Sequence, residues 1–170
     1  MKTALLVIDM QNDYLWEKRK KMFAYQTKKL TGAVNRLIRQ YDADGCDVIY
    51  IRHIIQNLPT NRLLFGYSIA GTEGAELYSG LEIVSEYCFD KLFGDALTNK
   101  KLLAMIHEQD YDMLHLCGLD EYGCVTATAL GASKRGIPVR IVRSGTATVL
   151  PEKKAAKQRK KLEQAGIMYI

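Results

Sequence analysis

The sequence predicts an α/β fold, a three-layer α/β/α arrangement around a mostly parallel central sheet, formed as one domain over residues 1–170. Three observations predict it. Short apolar runs alternate with longer amphipathic ones along the chain, glycines punctuate the joins, and polar residues suited to chemistry stand directly after the apolar runs. The composition agrees: 170 residues, 48% hydrophobic and 25% charged, suffice for one substantial core and match the balance of a globular protein.

The elements follow in order. Thr3–Ile8 reads as a buried strand. Residues 26–41 carry Leu30, Val34, Leu37 and Ile38 at helical spacing, and Ala43-Asp44-Gly45 closes that helix. Residues 47–52 form the next strand. Thr98 is the expected N-cap of a helix containing Leu102, Leu103 and Ile106, and residues 112–117 return as a strand. A third helix spans 124–134, ended by Gly136; a strand follows over 137–142, then a helix over 152–164 and a short run at 167–170. Residues 56–87 carry little regular signal and four glycines, as expected of a long connection that helps to wall a pocket.

Several function classes are disfavoured. The net charge of +5 resides largely in two local runs, 17–21 and 152–161, and no basic face with interleaved aromatics or nucleic-acid module is visible. No apolar run approaches the roughly 18 residues of a membrane span. The apolar N-terminal run is short and meets Asp9 at once, unlike a secretory signal, so a cytoplasmic protein is expected. Cys46, Cys88, Cys117 and Cys124 form no C-x-x-C pair, and His53, His107 and His115 lack zinc-site spacing, so free thiols and no structural metal are expected.

Open parallel sheets bind ligands beyond the carboxyl ends of their strands, which directs attention to the residues after Ile8, Arg52, Cys117 and Arg143. Asp9 follows a buried run, where partial desolvation suits a carboxylate to accept a proton; capping a turn is the plainer role. Cys124 follows a glycine-flanked turn and opens a helix, a setting in which free amides favour thiolate and steady a developing oxyanion. Packing of a small side chain is the alternative there. Lys91 lies among apolar and aromatic neighbours, where it would hold a charge near those two groups or lay its stem over Phe93.

The run Leu5-Leu6-Val7-Ile8-Asp9-Met10-Gln11-Asn12-Asp13-Tyr14 resembles the opening of the isochorismatase-like cysteine hydrolases, the superfamily that includes nicotinamidases. Gly71-Thr72-Glu73-Gly74-Ala75-Glu76-Leu77 is similar to its pocket segment, Lys91 with Leu92-Phe93-Gly94-Asp95-Ala96-Leu97 to its lysine segment, and Gly118 with Cys124-Val125-Thr126-Ala127-Thr128-Ala129 to its nucleophile segment. The four matches occur in family order and span nearly the whole chain. The resemblance implies a triad of Asp9, Lys91 and Cys124, a covalent thioester, cleavage of a C–N bond in a small molecule, and an oxyanion hole from the amides of Asp120 and Cys124. It also implies a cis peptide between Leu119 and Asp120, and a homodimer or higher homo-oligomer, for which Leu63, Leu64 and Phe65 offer apolar loop surface.

Departures from the family pattern bear on the substrate. The metal-binding D-x-H of nicotinamidases is replaced by Arg52-His53-Ile54-Ile55, so no catalytic metal and no other cofactor are expected. Glu73 replaces a frequent Trp, and Asp120 and Glu121 replace small residues or Thr. These three suggest an acidic pocket for a cationic or strongly polar substrate; Gln11, Tyr14 and Trp16 are further candidate pocket residues, the two aromatics suited to stack on a ring or to pack. Two other roles remain open: a non-catalytic member of the fold that binds a small molecule or a partner, and a redox sensor using Cys124 and Cys117.

Overall fold

Residues 4–8 present no polar side chain, and only a strand covered on both faces can accommodate such a run. In the computed structural model, which describes residues 1–170, this run lies at the centre of a six-stranded sheet, and every residue of β1 (Thr3–Ile8) is buried. Its neighbours are β2 (Asp47–His53) on one side and β4 (Met113–Gly118) on the other. Beyond β2 lies β3 (Cys88–Lys91); beyond β4 lie β5 (Val139–Thr146) and the two-residue β6 (Met168–Tyr169). The order is β3-β2-β1-β4-β5-β6, and every pairing is parallel. The chain order therefore reverses between β1 and β4, and a ligand crevice opens where the connections from two adjacent strands diverge.

Helices cover both faces. On one side α2 (Thr27–Ala43) sets Leu30, Val34 and Ile38 against Leu5, Val7 and Tyr50. On the other, α4 (Lys100–Glu108), α5 (Thr126–Lys134) and α6 (Glu152–Gln164) bury Leu102, Ile106, Ala129, Ala132, Ala155 and Leu162 against Leu6, Ile8, Leu114 and Ile141. The alternation of β1 between the two cores is the period of two that a twice-covered strand requires.

The structure corrects the sequence expectations at several ends. Asn99, not Thr98, caps α4, its side chain accepting from the amides of Lys101 and Leu102. α5 begins at Thr126, because residues 121–125 form a wider turn interrupted by a non-helical Gly123. β5 runs on through Ser144 and Gly145 to Thr146. β3 was not expected, nor were the short helices α1 (Asn12–Leu15) and α3 (Pro59–Leu64). No residue of α3 is buried; Leu63 is 87% exposed. No helix is long and apolar enough to cross a membrane.

Candidate active site

Asp9 is placed by backbone before its side chain matters. The strand ends at Ile8, and Asp9 turns the chain with φ of +53°, uncommon for a residue with a Cβ, while its amide still donates to Ile51 O at 2.9 Å. Across the crevice Gly118 ends β4 at φ +105°, so close to β1 that a Cβ there would meet Ile8 O at 2.0 Å. Only glycine lets the two strand ends approach this closely while both connections leave the sheet.

Lys91, the last residue of β3, reaches beneath this crevice. Its ammonium donates to Asp9 Oδ2 at 2.9 Å and to Cys124 Sγ at 3.1 Å. Asp9 and Lys91 are each only 3% exposed. The other oxygen of Asp9, Oδ1, is buried with no hydrogen-bond partner, and a carboxylate oxygen of Asp9 lies within 4.8 Å of the sulfur. The three residues named from the sequence thus converge, from three separate strand ends.

Their electrostatics differ from expectation in one respect. Burial pushes the Cys124 thiol up to about 12, with the Asp9 charge adding to the rise and Lys91 opposing it. The expected thiolate bias from a helix start does not prevail, because Cys124 lies within the turn ahead of α5 in a desolvated position. Burial works against the Lys91 charge, but Asp9 and then Cys124 outweigh it and hold the lysine above its ordinary value. Burial and the Asp9 charge thus favour the neutral thiol, beside the Asp9–Lys91 ion pair.

Above the sulfur lies a cavity of about 190 Å³, lined by Asp9, Cys124, His53, Leu119, Asp120 and Gly123 with four aromatic rings, Tyr14, Phe23, Tyr25 and Tyr67. The rings support one another edge-on: Phe23 stands 4.8 Å from Tyr14 and 5.0 Å from Tyr67 between centroids. Two of their hydroxyls are already used, Tyr14 Oη with Ser68 Oγ at 2.7 Å and Tyr25 Oη donating to Asp120 Oδ2 at 2.9 Å.

Of the pocket residues named from the sequence, only Tyr14 and Asp120 line this cavity. Gln11 is fully buried and acts as a staple, its amide bonding His53 O, Ala75 O and the His53 N–H. Asn12 and Asp13 tie down the same long connection through Glu73 O and the Ser68 amide. Trp16 and Glu73 line a neighbouring groove, and Glu121 is buried elsewhere, accepting from Tyr169 Oη at 2.9 Å. The Asp120 carboxylate accepts from four donors: the Tyr122 and Val149 amides, Thr148 Oγ1 and Tyr25 Oη. The expected acidic pocket is therefore an aromatic one, in which the nearest additional carboxylate is consumed by structure. Sequence reasoning missed Phe23, Tyr25, Tyr67 and Leu119, which lie outside any periodic element, and His53, the last residue of β2.

The implied cis peptide is absent; every peptide bond is trans. Gly118 turns the chain, and the Asp120 carboxylate caps the next turn through the Tyr122 amide, so the lower-energy trans amide serves. The redox pairing also meets an obstacle. Cys117 is fully buried in the α2-side core, whereas Cys124 packs against the core on the other side of the sheet.

The nicotinamidase metal site has no counterpart in donor chemistry. The Arg52 guanidinium, ion-paired with Asp90 and Glu76, stands where the pattern places a ligand. Asp9, His53 and Cys124 lie close enough to ligate, but Lys91 already places an ammonium within 3.4 Å of all three. These residues do not fit a divalent ion.

A family model described as the isochorismatase domain matches residues 3–168. An uncharacterized isochorismatase family protein of Bacillus subtilis, YddQ, is 28% identical over 149 residues, covering 87% of this chain and 79% of its own. A probable inactive nicotinamidase of Arabidopsis thaliana is 29% identical over 167 residues, covering 88% and 83%. Among solved structures, the nicotinamidase/pyrazinamidase PncA of Bacillus subtilis superposes with a TM-score of 0.84 at 24% identity, covering 99% of each chain. The N-carbamoylsarcosine amidase of Thermoplasma acidophilum gives 0.83 at 22%, covering 99% of this chain and 95% of its own. With the domain match running from the first strand to the last, the chain belongs to the isochorismatase domain family.

Proposed function

We propose that this isochorismatase-family hydrolase is a cysteine-dependent amidase that cleaves a C–N bond of a small molecule through a thioester. The observation that carries the reading is the Lys91 ammonium in hydrogen-bond reach of both Asp9 and Cys124, two residues that line one cavity. The amidase names of two structural neighbours support the reaction class.

The chemistry follows from the resting protonation. A buried neutral thiol is a weak nucleophile, so its proton passes to Asp9 as sulfur attacks the carbonyl carbon, and Oδ1 of Asp9 is the oxygen free to take it. Charge then develops on the carbonyl oxygen. The Asp120 amide makes no hydrogen bond within the chain and, with the Cys124 amide, suits an oxyanion hole. Asp9 returns the proton to the departing nitrogen, the C–N bond breaks, and the acyl group remains on sulfur. Water, deprotonated by Asp9, adds to the thioester; the C–S bond breaks and the sulfur regains its proton. Lys91 keeps its charge throughout and offsets the negative charge as it moves between carboxylate and sulfur.

The substrate class follows from the lining. With the Tyr14 and Tyr25 hydroxyls, Lys91 and Asp120 engaged, the cavity has no spare positive charge for an anionic group. It suits a small neutral amide with an apolar or aromatic flank. Homo-oligomerisation through the exposed apolar face of α3 is part of the same proposal, and sedimentation velocity of the full chain tests it.

The test is ammonia release from a panel of small primary amides, with intact-mass analysis for an acyl adduct. Turnover by the native protein, lost in Cys124→Ala, with the adduct on the Cys124 peptide, is the expected result. Ligand binding without turnover or adduct would replace this reading with the non-catalytic one, which the inactive plant relative favours.

A further inference from the structure

A lysine ammonium has three protons to donate, and at a buried position each needs an acceptor. Lys91 has Asp9 Oδ2 at 2.9 Å and Cys124 Sγ at 3.1 Å, and its remaining neighbour is His53 Nδ1 at 3.4 Å. His53 and Lys91 are register partners at the ends of β2 and β3, so the sheet itself sets them side by side. The His53 peptide is clamped on both sides by one side chain, its N–H donating to Gln11 Oε1 at 2.8 Å and its carbonyl accepting from Gln11 Nε2 at 3.0 Å.

We propose that His53 is a positioning residue of the reactive centre: its neutral imidazole, carrying the proton on Nε2, accepts the third hydrogen bond of Lys91 and holds that ammonium between Asp9 and Cys124. This rests on the amidase reading for its consequence but not for its geometry. The tautomer is dictated by the neighbour, since a proton on Nδ1 would point at the ammonium. An apolar residue in this place would leave one buried N–H of Lys91 without an acceptor. Gln11 thereby gains a purpose that its burial alone does not explain, as the support that fixes the imidazole.

The titratable groups facing the ring are Lys91 from β3, Asp9 from the end of β1 and Cys124 from the turn ahead of α5. Burial and then the Lys91 charge lower the imidazole below its ordinary value, against the opposing effect of Asp9. His53 is therefore neutral at neutral pH. On acidification it becomes a second cation beside Lys91, the acceptor is lost, and the ammonium is released from the sulfur.

The experiment needs no substrate. The full chain, labelled with nitrogen-15 in histidine, is titrated by NMR, with only His107 and His115 as competing signals. The expected result is an Nε2–H tautomer for His53 at pH 7, titrating below 6.5 and shifted upward in Lys91→Met. In parallel, iodoacetamide labelling of Cys124 is read by peptide mass spectrometry. His53→Ala should slow it at least about threefold, the effect of one hydrogen bond on the group that favours thiolate. His53→Asn, whose amide oxygen takes the place of Nδ1, should recover most of that rate without the acid-side loss. An Nδ1–H tautomer, or a His53→Ala rate within about twofold of the native protein, overturns the proposal. If Cys124 resists alkylation in every variant, the amidase reading suffers, and the tautomer still decides for or against His53.

Discussion

Asp9 and Lys91, 82 residues apart in sequence, form the one ion pair of the chain in which both side chains are almost wholly removed from water, at 5% and 0% exposure. Two ions so placed depend on each other. Lys91→Ala leaves an uncompensated buried carboxylate and should cost about 3–5 kcal/mol of stability in urea unfolding. The double variant Asp9→Asn/Lys91→Met removes both charges and should be distinctly less destabilised than Lys91→Ala.

The same burial sets a pH dependence. The folded-state value of Cys124 is raised from 9.0 to about 12, and Lys91 and Tyr14 are raised as well, Tyr14 first by burial. A group raised on folding contributes stability that is complete below its unfolded value and fades as pH climbs through the folded one. Urea midpoints should therefore fall from about pH 9 upward, where the unfolded thiol begins to ionise. Cys124→Ser should flatten the first part of that fall, and an unchanged slope in this variant would show that the thiol is not held neutral by the fold.

Reactivity and turnover should part company at Asp9. Its charge raises the Cys124 thiol, so Asp9→Asn should lower the thiol and speed iodoacetamide labelling at pH 7 severalfold. Amide turnover should be lost in the same variant, because the proton acceptor is gone. Faster labelling together with retained turnover would remove Asp9 from the role of base.

Asp120 binds the turn that carries Cys124 to two distant segments, through Tyr25 Oη and the Val149 amide, each at 2.9 Å. Asp120→Ala should cost about 2–4 kcal/mol, whereas Tyr25→Phe, which removes one of the four bonds, should cost about 1 kcal/mol. Glu121→Gln, remote from the cavity, should leave the preference among neutral amides unchanged. A switch in that preference would restore the idea of an acidic pocket.

Gly118→Ala would drive a methyl group into Ile8 O at a backbone angle that L-residues avoid. The expected outcome is a loss of more than about 3 kcal/mol or failure to accumulate folded protein, measured by thermal unfolding of the soluble fraction. A variant of native stability would show that the crevice can open at this point.

Much of this was legible in advance, and the exceptions share a cause. β1, α2, β2 and β4 announce themselves because each buries a full face, so apolar spacing and element coincide, whereas α6 is legible as a charged, solvated run that buries only Ala155 and Leu162. β3 does not: it is an edge strand whose residues alternate between exposed and half-buried until Lys91, leaving no apolar period to read. Asp9, Lys91 and Cys124 were found through strand-end logic and motif order. Phe23, Tyr25 and Tyr67 were not, because they enter the cavity from irregular segments whose course is set by hydrogen bonds with the side chains of Asn12 and Arg19, which donate, and Asp13, which accepts, rather than by periodicity. Trp16 and Glu73 lie near in sequence to true lining residues yet face the adjacent groove. Direction is not encoded in spacing outside a regular element.

Because Asp9, Lys91 and Cys124 arrive from β1, β3 and the turn after β4, no fragment shorter than about two-thirds of the chain holds all three. During synthesis the ribosome must deliver both outer contributors before any cooperative chemistry exists. In the unfolded chain Cys124 lacks both charged neighbours, and only assembly of the sheet brings Lys91 and Asp9 beside it. An incompletely assembled chain therefore holds the thiol alone, and the trio exists only where β1, β3 and β4 share one sheet.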